Sequence, residues 1–225
     1  MTDAPPPPRA APTVLLERVH ASDDAGHRGK SRGAIFDLSL ALGPSVVAIV
    51  GAPSDGTLAL LDVMTGAQKP TRGSALVGGF APMRSPATRA RIGVLSPIPR
   101  LPEARTVSAS VGLAMRARGQ ADPRPVDLLE GFGLGALSRR TSRSLSYTES
   151  RAVELALALS TRAPLLVALY EPFSDVALMQ QDLLRERMSE LGAGGATVMI
   201  VCSSRADARS VAERVLVLHK GRWVH

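Results

Sequence analysis

The stretch VVAIVGAPSDGTLALL, Val46 to Leu61, decides the architecture. Val46–Val50 is continuously apolar and largely β-branched, as a strand buried on both faces requires. Gly51–Gly56 is a glycine-bounded turn, and Leu58–Met64 carries a helical pattern. A strand, a glycine-bounded turn and a helix in succession point backbone N–H groups and a helix N-terminus at one place, where an anion can be held. The phosphate-loop pattern is G-x4-G-K-S/T. Gly51 and Gly56 frame the loop here, with Ala52, Pro53, Ser54 and Asp55 between them. The lysine position is Thr57 and the magnesium-binding hydroxyl position is Leu58. Asp55 adds a negative charge where phosphates would sit. Two framing glycines alone equally suit an ordinary β–α turn.

Working outward, Val14–Val19 reads as a strand. Phe36, Leu38, Leu40 and Leu42 alternate with small or polar residues, a period-two strand that ends at Gly43-Pro44. Ile92–Leu95, Leu165–Leu169 and Val198–Val201 are short apolar strands, and Val215–Leu218 with Arg222–Val224 forms a hairpin around Lys220-Gly221. Helices are expected at Val107–Met115, Pro125–Phe132, Ser150–Leu159, Leu183–Leu191 and Asp207–Glu213. Strands alternating with helices imply an α/β fold with a largely parallel sheet. The strand-free middle of the chain reads as an inserted helical subdomain. The opening MTDAPPPPRAAP is a proline-rich tail, expected to be disordered over residues 1–13.

Composition narrows the function classes. With 225 residues, 45% hydrophobic and 21% charged, the chain can bury a core without staples. Cys202 is the only cysteine, which excludes an intrachain disulfide and a cysteine-based zinc site. His20, His27, His219 and His225 lack ligand spacing, so no metal site is expected. No apolar run approaches the ~17–20 residues that span a bilayer, and the N-terminus has no apolar signal segment. A cytoplasmic protein is expected. The net charge of +7 rests on scattered arginines, and aromatics are only 3%, so stacking platforms for nucleic acid are few. No nucleic-acid partner is expected; the charge suits anionic lipid beside a membrane partner.

Over Val14–Val224 the sequence resembles the nucleotide-binding domain of ABC transporters, with its parts in the family's order. VVAIVGAPSDGTLALL resembles Walker A, and PTRGSALVGG (Pro70–Gly79) the strand that follows. RIGVLSPIPRLPEARTV (Arg91–Val107) is similar to the Q-loop region. RSLSYTESRAVELALAL (Arg143–Leu159) is similar to the signature motif and its helix. LLVALYEPFSDV (Leu165–Val176) resembles Walker B and the D-loop. TVMIVCSS and ERVLVLHKGRWV resemble the switch-histidine strand and the closing hairpin. The resemblance implies an α/β, P-loop NTPase fold of ABC-ATPase type. Its RecA-like core (14–96 and 150–225) would have a mostly parallel sheet and an antiparallel β edge, with a helical subdomain inserted at 97–149.

The resemblance also assigns positions. The phosphate lysine falls on Thr57 and the magnesium hydroxyl on Leu58. The Q-loop glutamine falls on Pro97, the Walker B aspartate on Tyr170 and the switch histidine on Ser203. The signature remnant is Leu145, Ser146, Tyr147, Thr148 and Glu149, with Tyr147-Thr148 where the family has glycines; a tyrosine there should obstruct a partner's γ-phosphate. The D-loop aspartate falls on Ala177, with Asp175 two residues earlier. No aromatic stands in Ala21–Gly33 to stack on adenine. Only the catalytic-base position is kept, as Glu171, and the favoured reading of that residue is a partly solvated carboxylate beside Pro172 at a loop.

ATP and Mg²⁺ are the family's cofactors, and none is expected here. The expected function is a degenerate, pseudo-ATPase subunit of an ABC transport system. It would sit peripherally on the inner face of the membrane, docked on a permease and paired with itself or with another ABC ATPase subunit. By resemblance, Arg100, Leu101, Arg105 and Val107 lie near the permease's coupling helix. The alternatives are a soluble scaffold or regulatory protein that reuses the fold, and an unusual but active ATPase.

Overall fold

The computed structural model describes residues 12–22, 33–174 and 178–224. The proline-rich tail to residue 11, positions 23–32 of the expected adenine loop, Asp175, Ala177 and His225 lie outside the described residues.

Strands β1 (Val14–Ala21), β2 (Ile35–Leu42) and β4 (Arg72–Val77) form an antiparallel sheet in the order β2-β1-β4. A second sheet contains β3 (Ser45–Val50), β5 (Ile92–Leu95), β6 (Leu166–Tyr170), β7 (Thr197–Cys202), β8 (Arg214–His219) and β9 (Arg222–Val224), in the order β5-β6-β7-β3-β8-β9. All its pairs are parallel except the β8–β9 hairpin. The sheet is covered on both sides, which explains its unbroken apolar strands. In β3, Val47 and Ile49 enter one core cluster with the antiparallel sheet and helix α1 (Thr57–Thr65), while Val46, Ala48 and Val50 enter a second cluster on the opposite face. Strand β7 divides the same way, with Met199 and Val201 on one side and Val198, Ile200 and Cys202 on the other.

Helix α2 (Pro86–Ala90) leads into β5. Helices α3 (Val107–Ala117) and α4 (Pro125–Gly131) pack with α5 (Tyr147–Leu159) through a third, smaller cluster of Val107, Val111, Met115, Leu129, Val153 and Leu157. The other face of α5 supplies Leu155, Ala158 and Leu159 to the second cluster. Helices α6 (Leu178–Ala193) and α7 (Arg205–Val211) cover the same side of the sheet.

Several helix boundaries differ from expectation, and two of the helices show the local reason. Helix α5 starts at Tyr147 rather than Ser150, because Ser146 forms a capping box: its hydroxyl accepts the Glu149 N–H and the Glu149 carboxylate accepts the Ser146 N–H. Helix α7 runs over Arg205–Val211 rather than Asp207–Glu213, because Ser204 caps it through the Asp207 N–H and Glu213 N–H instead bonds Val46 O. Helix α6 runs past Leu183–Leu191 at both ends. Gly192 does not stop it: it lies within the helix against Ser45 and Val46, and the helix ends at Ala193.

Candidate functional site

The register places the C-terminal ends of three neighbouring strands side by side. Val50 of β3 pairs with Cys202 of β7, and Tyr170 of β6 pairs with Val201. The loop after β3, Glu171 after β6 and Ser203 after β7 therefore gather at one edge, the place where parallel sheets hold ligands.

The loop after β3 closes on itself. Pro53–Asp55 forms a 3-10 turn in which Asp55 N–H donates to Ala52 O and Gly56 N–H to Pro53 O. The Asp55 carboxylate accepts the Ala52 N–H at 3.0 Å, the Lys220 N–H at 3.0 Å, and lies 3.0 Å from His219 Nδ1. Gly221 N–H donates to Asp55 O, so the loop is tied to the β8–β9 hairpin by backbone and side chain together. The Lys220 N–H, followed by Ala52 and His219, holds the Asp55 carboxyl below the usual carboxylate range, against the opposing effect of burial. Thr57 is fully buried, and its hydroxyl donates to Ala52 O at 3.1 Å. Leu58 is buried as well. Gly56 has φ +92°, and a Cβ there would sit 2.5 Å from Ala34 O, so the position admits only glycine without rearrangement.

Glu171 is half-buried and has φ +44°, a left-handed backbone that is unusual for a side chain of this kind. Its Oε1 accepts the Ser203 N–H at 2.8 Å, and its own N–H donates to Val201 O. The half-buried carboxylate thus ties the loop after β6 to the loop after β7, with Ser203 contributing its backbone. Burial, and then the neighbouring Glu171, raise the Tyr170 phenol above its ordinary pKa.

The signature stretch approaches the same edge from the helical side. Leu145 packs on the third cluster, Ser146 and Glu149 form the cap, and Thr148 is exposed. Arg140 donates to the Glu149 carboxylate, which the Ser146 N–H and then Arg140 hold below its usual pKa. The Tyr147 hydroxyl donates to Pro97 O at 2.8 Å, and its ring lies 5.8 Å from the Arg151 guanidinium. Arg151, only 3% exposed, donates to Ser96 O and Tyr170 O at 2.7 Å each and to Glu171 O at 3.1 Å. Sequence reasoning passed over Arg151. The available signal was an arginine in the second turn of a helix, one residue before its apolar run begins.

Glu154, also passed over, is buried, accepts the Arg100 N–H and is pushed up in pKa by that burial; its second oxygen has no partner among the described residues. It lines a cavity of about 310 Å³ together with Arg89, Arg100, Leu101 and Arg118. Of the residues that resemblance placed near a coupling helix, Arg100 and Leu101 line this cavity and Arg105 is exposed. Val107 is fully buried in the third cluster and presents no surface; it is the first residue of α3, where the hydrophobic face turns inward.

A family profile described as "ABC transporter" matches residues 36–174. The chain belongs to the ABC transporter family. It is 32% identical over 184 residues to the Fe(3+) ions import ATP-binding protein FbpC of Streptomyces avermitilis, covering 78% of this chain and 52% of that protein. It is 28% identical over 226 residues to the methionine import ATP-binding protein MetN of Xanthomonas campestris pv. campestris, covering 94% of this chain and 65% of that protein. The chain thus spans about half to two thirds of the length of these curated relatives. Among solved structures, an ATP-binding subunit of an ABC transporter superposes with a TM-score of 0.79 at 22% identity, covering 94% of this chain and 88% of the other. A dimeric ATP-binding cassette in a post-hydrolysis state, bound to ADP and Pi, also gives 0.79 at 19% identity, covering 94% and 97%. The fold is that of the ABC ATPases, with a mostly parallel sheet and an antiparallel edge.

Proposed function

We propose that this chain is a subunit of an ABC transport system that docks on a membrane permease, pairs with itself or with a competent ATPase subunit, and does not turn over Mg-ATP. The observation that carries the reading is Thr57: at the position of the family's phosphate lysine, its side chain is fully buried and bonded to Ala52 O. Each charge-assisted hydrogen bond to a phosphate is worth roughly 1.5–3 kcal/mol, and a buried threonine supplies none. The rest of the constellation points the same way. Leu58 and Tyr170 replace both oxygen ligands through which the family holds Mg²⁺, and the Asp55 carboxylate takes up the Ala52 N–H that an anion would need. The residues present do not fit Mg-ATP, so Glu171 has no nucleotide to act on.

Docking is supported by the cavity beside Arg100, Leu101 and Glu154, which lies where the helical segment meets the core. Among the described residues no helix is long and apolar enough to cross a membrane, so the chain would reach the bilayer through its permease, at the inner face. The test is phosphate release and calorimetric titration with Mg-ATP. Neither turnover nor binding is expected; turnover above background that Glu171→Gln abolishes would overturn the reading.

A further inference from the structure

We propose that Tyr147 is a latch that fixes the orientation of the helical segment on the core by protein contacts alone. The proposal deepens the docking reading, and rests on it, because this segment carries part of the surface offered to the permease. The chain leaves the core through Ser96 and Pro97, just after β5, and returns through Ser146 and Tyr147 at the start of α5. These two connections are stitched together. Tyr147 and Arg151, one helical turn apart, bond the successive carbonyls of Pro97 and Ser96 at 2.8 and 2.7 Å. The Arg151 guanidinium also faces the Tyr147 ring, an attraction that grows as the cation is withdrawn from water.

The stitch reaches further than the neck. Arg151 holds the carbonyls of Tyr170 and Glu171 at the end of β6, and α5 continues into the helical cluster through Val153 and Leu157. Exit, return, central sheet and helical cluster therefore meet on the first two turns of α5. A glycine at 147 would leave the Pro97 carbonyl without this donor and Arg151 without its ring. The residue expected only to obstruct a γ-phosphate is thereby given a structural task, and it stays 55% exposed at the surface, where the contact can open.

The latch is tested in the full chain by spin labels at Ala117→Cys in α3 and Ala206→Cys in α7, both exposed positions. Cys202 is buried with its thiol pushed up to about 12, so it stays unlabelled. The chain with Tyr147 should give one dominant narrow distance with a small second population, unchanged by Mg-ATP. Tyr147→Phe, which removes only the hydroxyl, should raise the population of a second distance about fivefold, the effect of one hydrogen bond of ordinary net strength. Tyr147→Gly should raise it further. Distances that stay narrow in both variants overturn the latch and leave the docking reading standing. Phosphate release by the labelled chain overturns the non-hydrolysing reading whatever the distances do.

Discussion

Glu171 accepts the backbone N–H of Ser203 at 2.8 Å, and this bond joins the loop that follows β6 to the loop that follows β7. By resemblance the carboxylate falls at the family's catalytic-base position; its partner here is a main-chain donor. An amide oxygen can accept the same bond. Glu171→Gln should therefore keep the fold and cost under about 1 kcal/mol, whereas Glu171→Ala should cost about 1–2 kcal/mol by leaving the Ser203 N–H short of an acceptor. Chemical denaturation of both variants checks this. Equal losses would show that the tie contributes nothing.

Asp55 should make stability depend on pH at the acid end. Its folded pKa is lowered from the ordinary 3.8, chiefly by the Lys220 N–H. A depressed carboxylate binds its proton less readily in the folded state, so its stabilisation is complete above the unfolded pKa. It is lost as the pH falls from about 3.8 through the lower folded value. Asp55→Ala should be less stable than the parent by about 1–2 kcal/mol near neutral pH. The urea midpoints of the two proteins should converge as the carboxyl protonates. A constant gap down to the acid limit would contradict the assignment.

Thr57→Lys should not create an ATPase. Position 57 is fully buried, so a lysine there must either bring an ammonium into the core or break the Thr57–Ala52 bond and reopen the loop. Tyr170, Tyr147 and Ser203 would still stand in the site. The expected outcome is a lower melting temperature and no phosphate release; restored turnover would mean that the lysine alone was missing.

Association should not respond to nucleotide. A pairing of the phosphate-loop face of one subunit with the signature face of another would juxtapose Gly51–Leu58 with Ser146, Tyr147 and Thr148, and neither side supplies a lysine for a γ-phosphate. Size-exclusion chromatography with light scattering, on the parent and on Glu171→Gln, should give the same mass with and without Mg-ATP. Dimerisation only in the presence of ATP would sink the pseudo-ATPase reading.

Much of this architecture was legible because buried strands announce themselves locally. Val46–Val50 reads as a doubly covered strand and Leu165–Leu169 and Val198–Val201 as apolar strands, and the three lie side by side in the parallel sheet. Helix ends were harder, since they turn on single caps such as Ser146 and Ser204. The site was legible in residue types but not in partners. Asp55 and Lys220 are 165 positions apart, brought together only because β3 pairs with β8. Ser203 reads as a lost histidine, yet what it contributes is an N–H that every residue except proline possesses. Arg151 acts through three carbonyls, and no pattern of side-chain types marks a carbonyl as a partner.

Helix α5 gives Val153 and Leu157 to the helical cluster while Leu155, Ala158 and Leu159 belong to the sheet. The insertion consequently owns no complete interior: without α5 it keeps Val107, Val111, Met115 and Leu129 but loses the wall they rest on. Expressed alone as residues 97–149, it should remain unfolded. In the whole chain its melting should coincide with that of the sheet, so that heat meets a single cooperative unit where the topology suggests two.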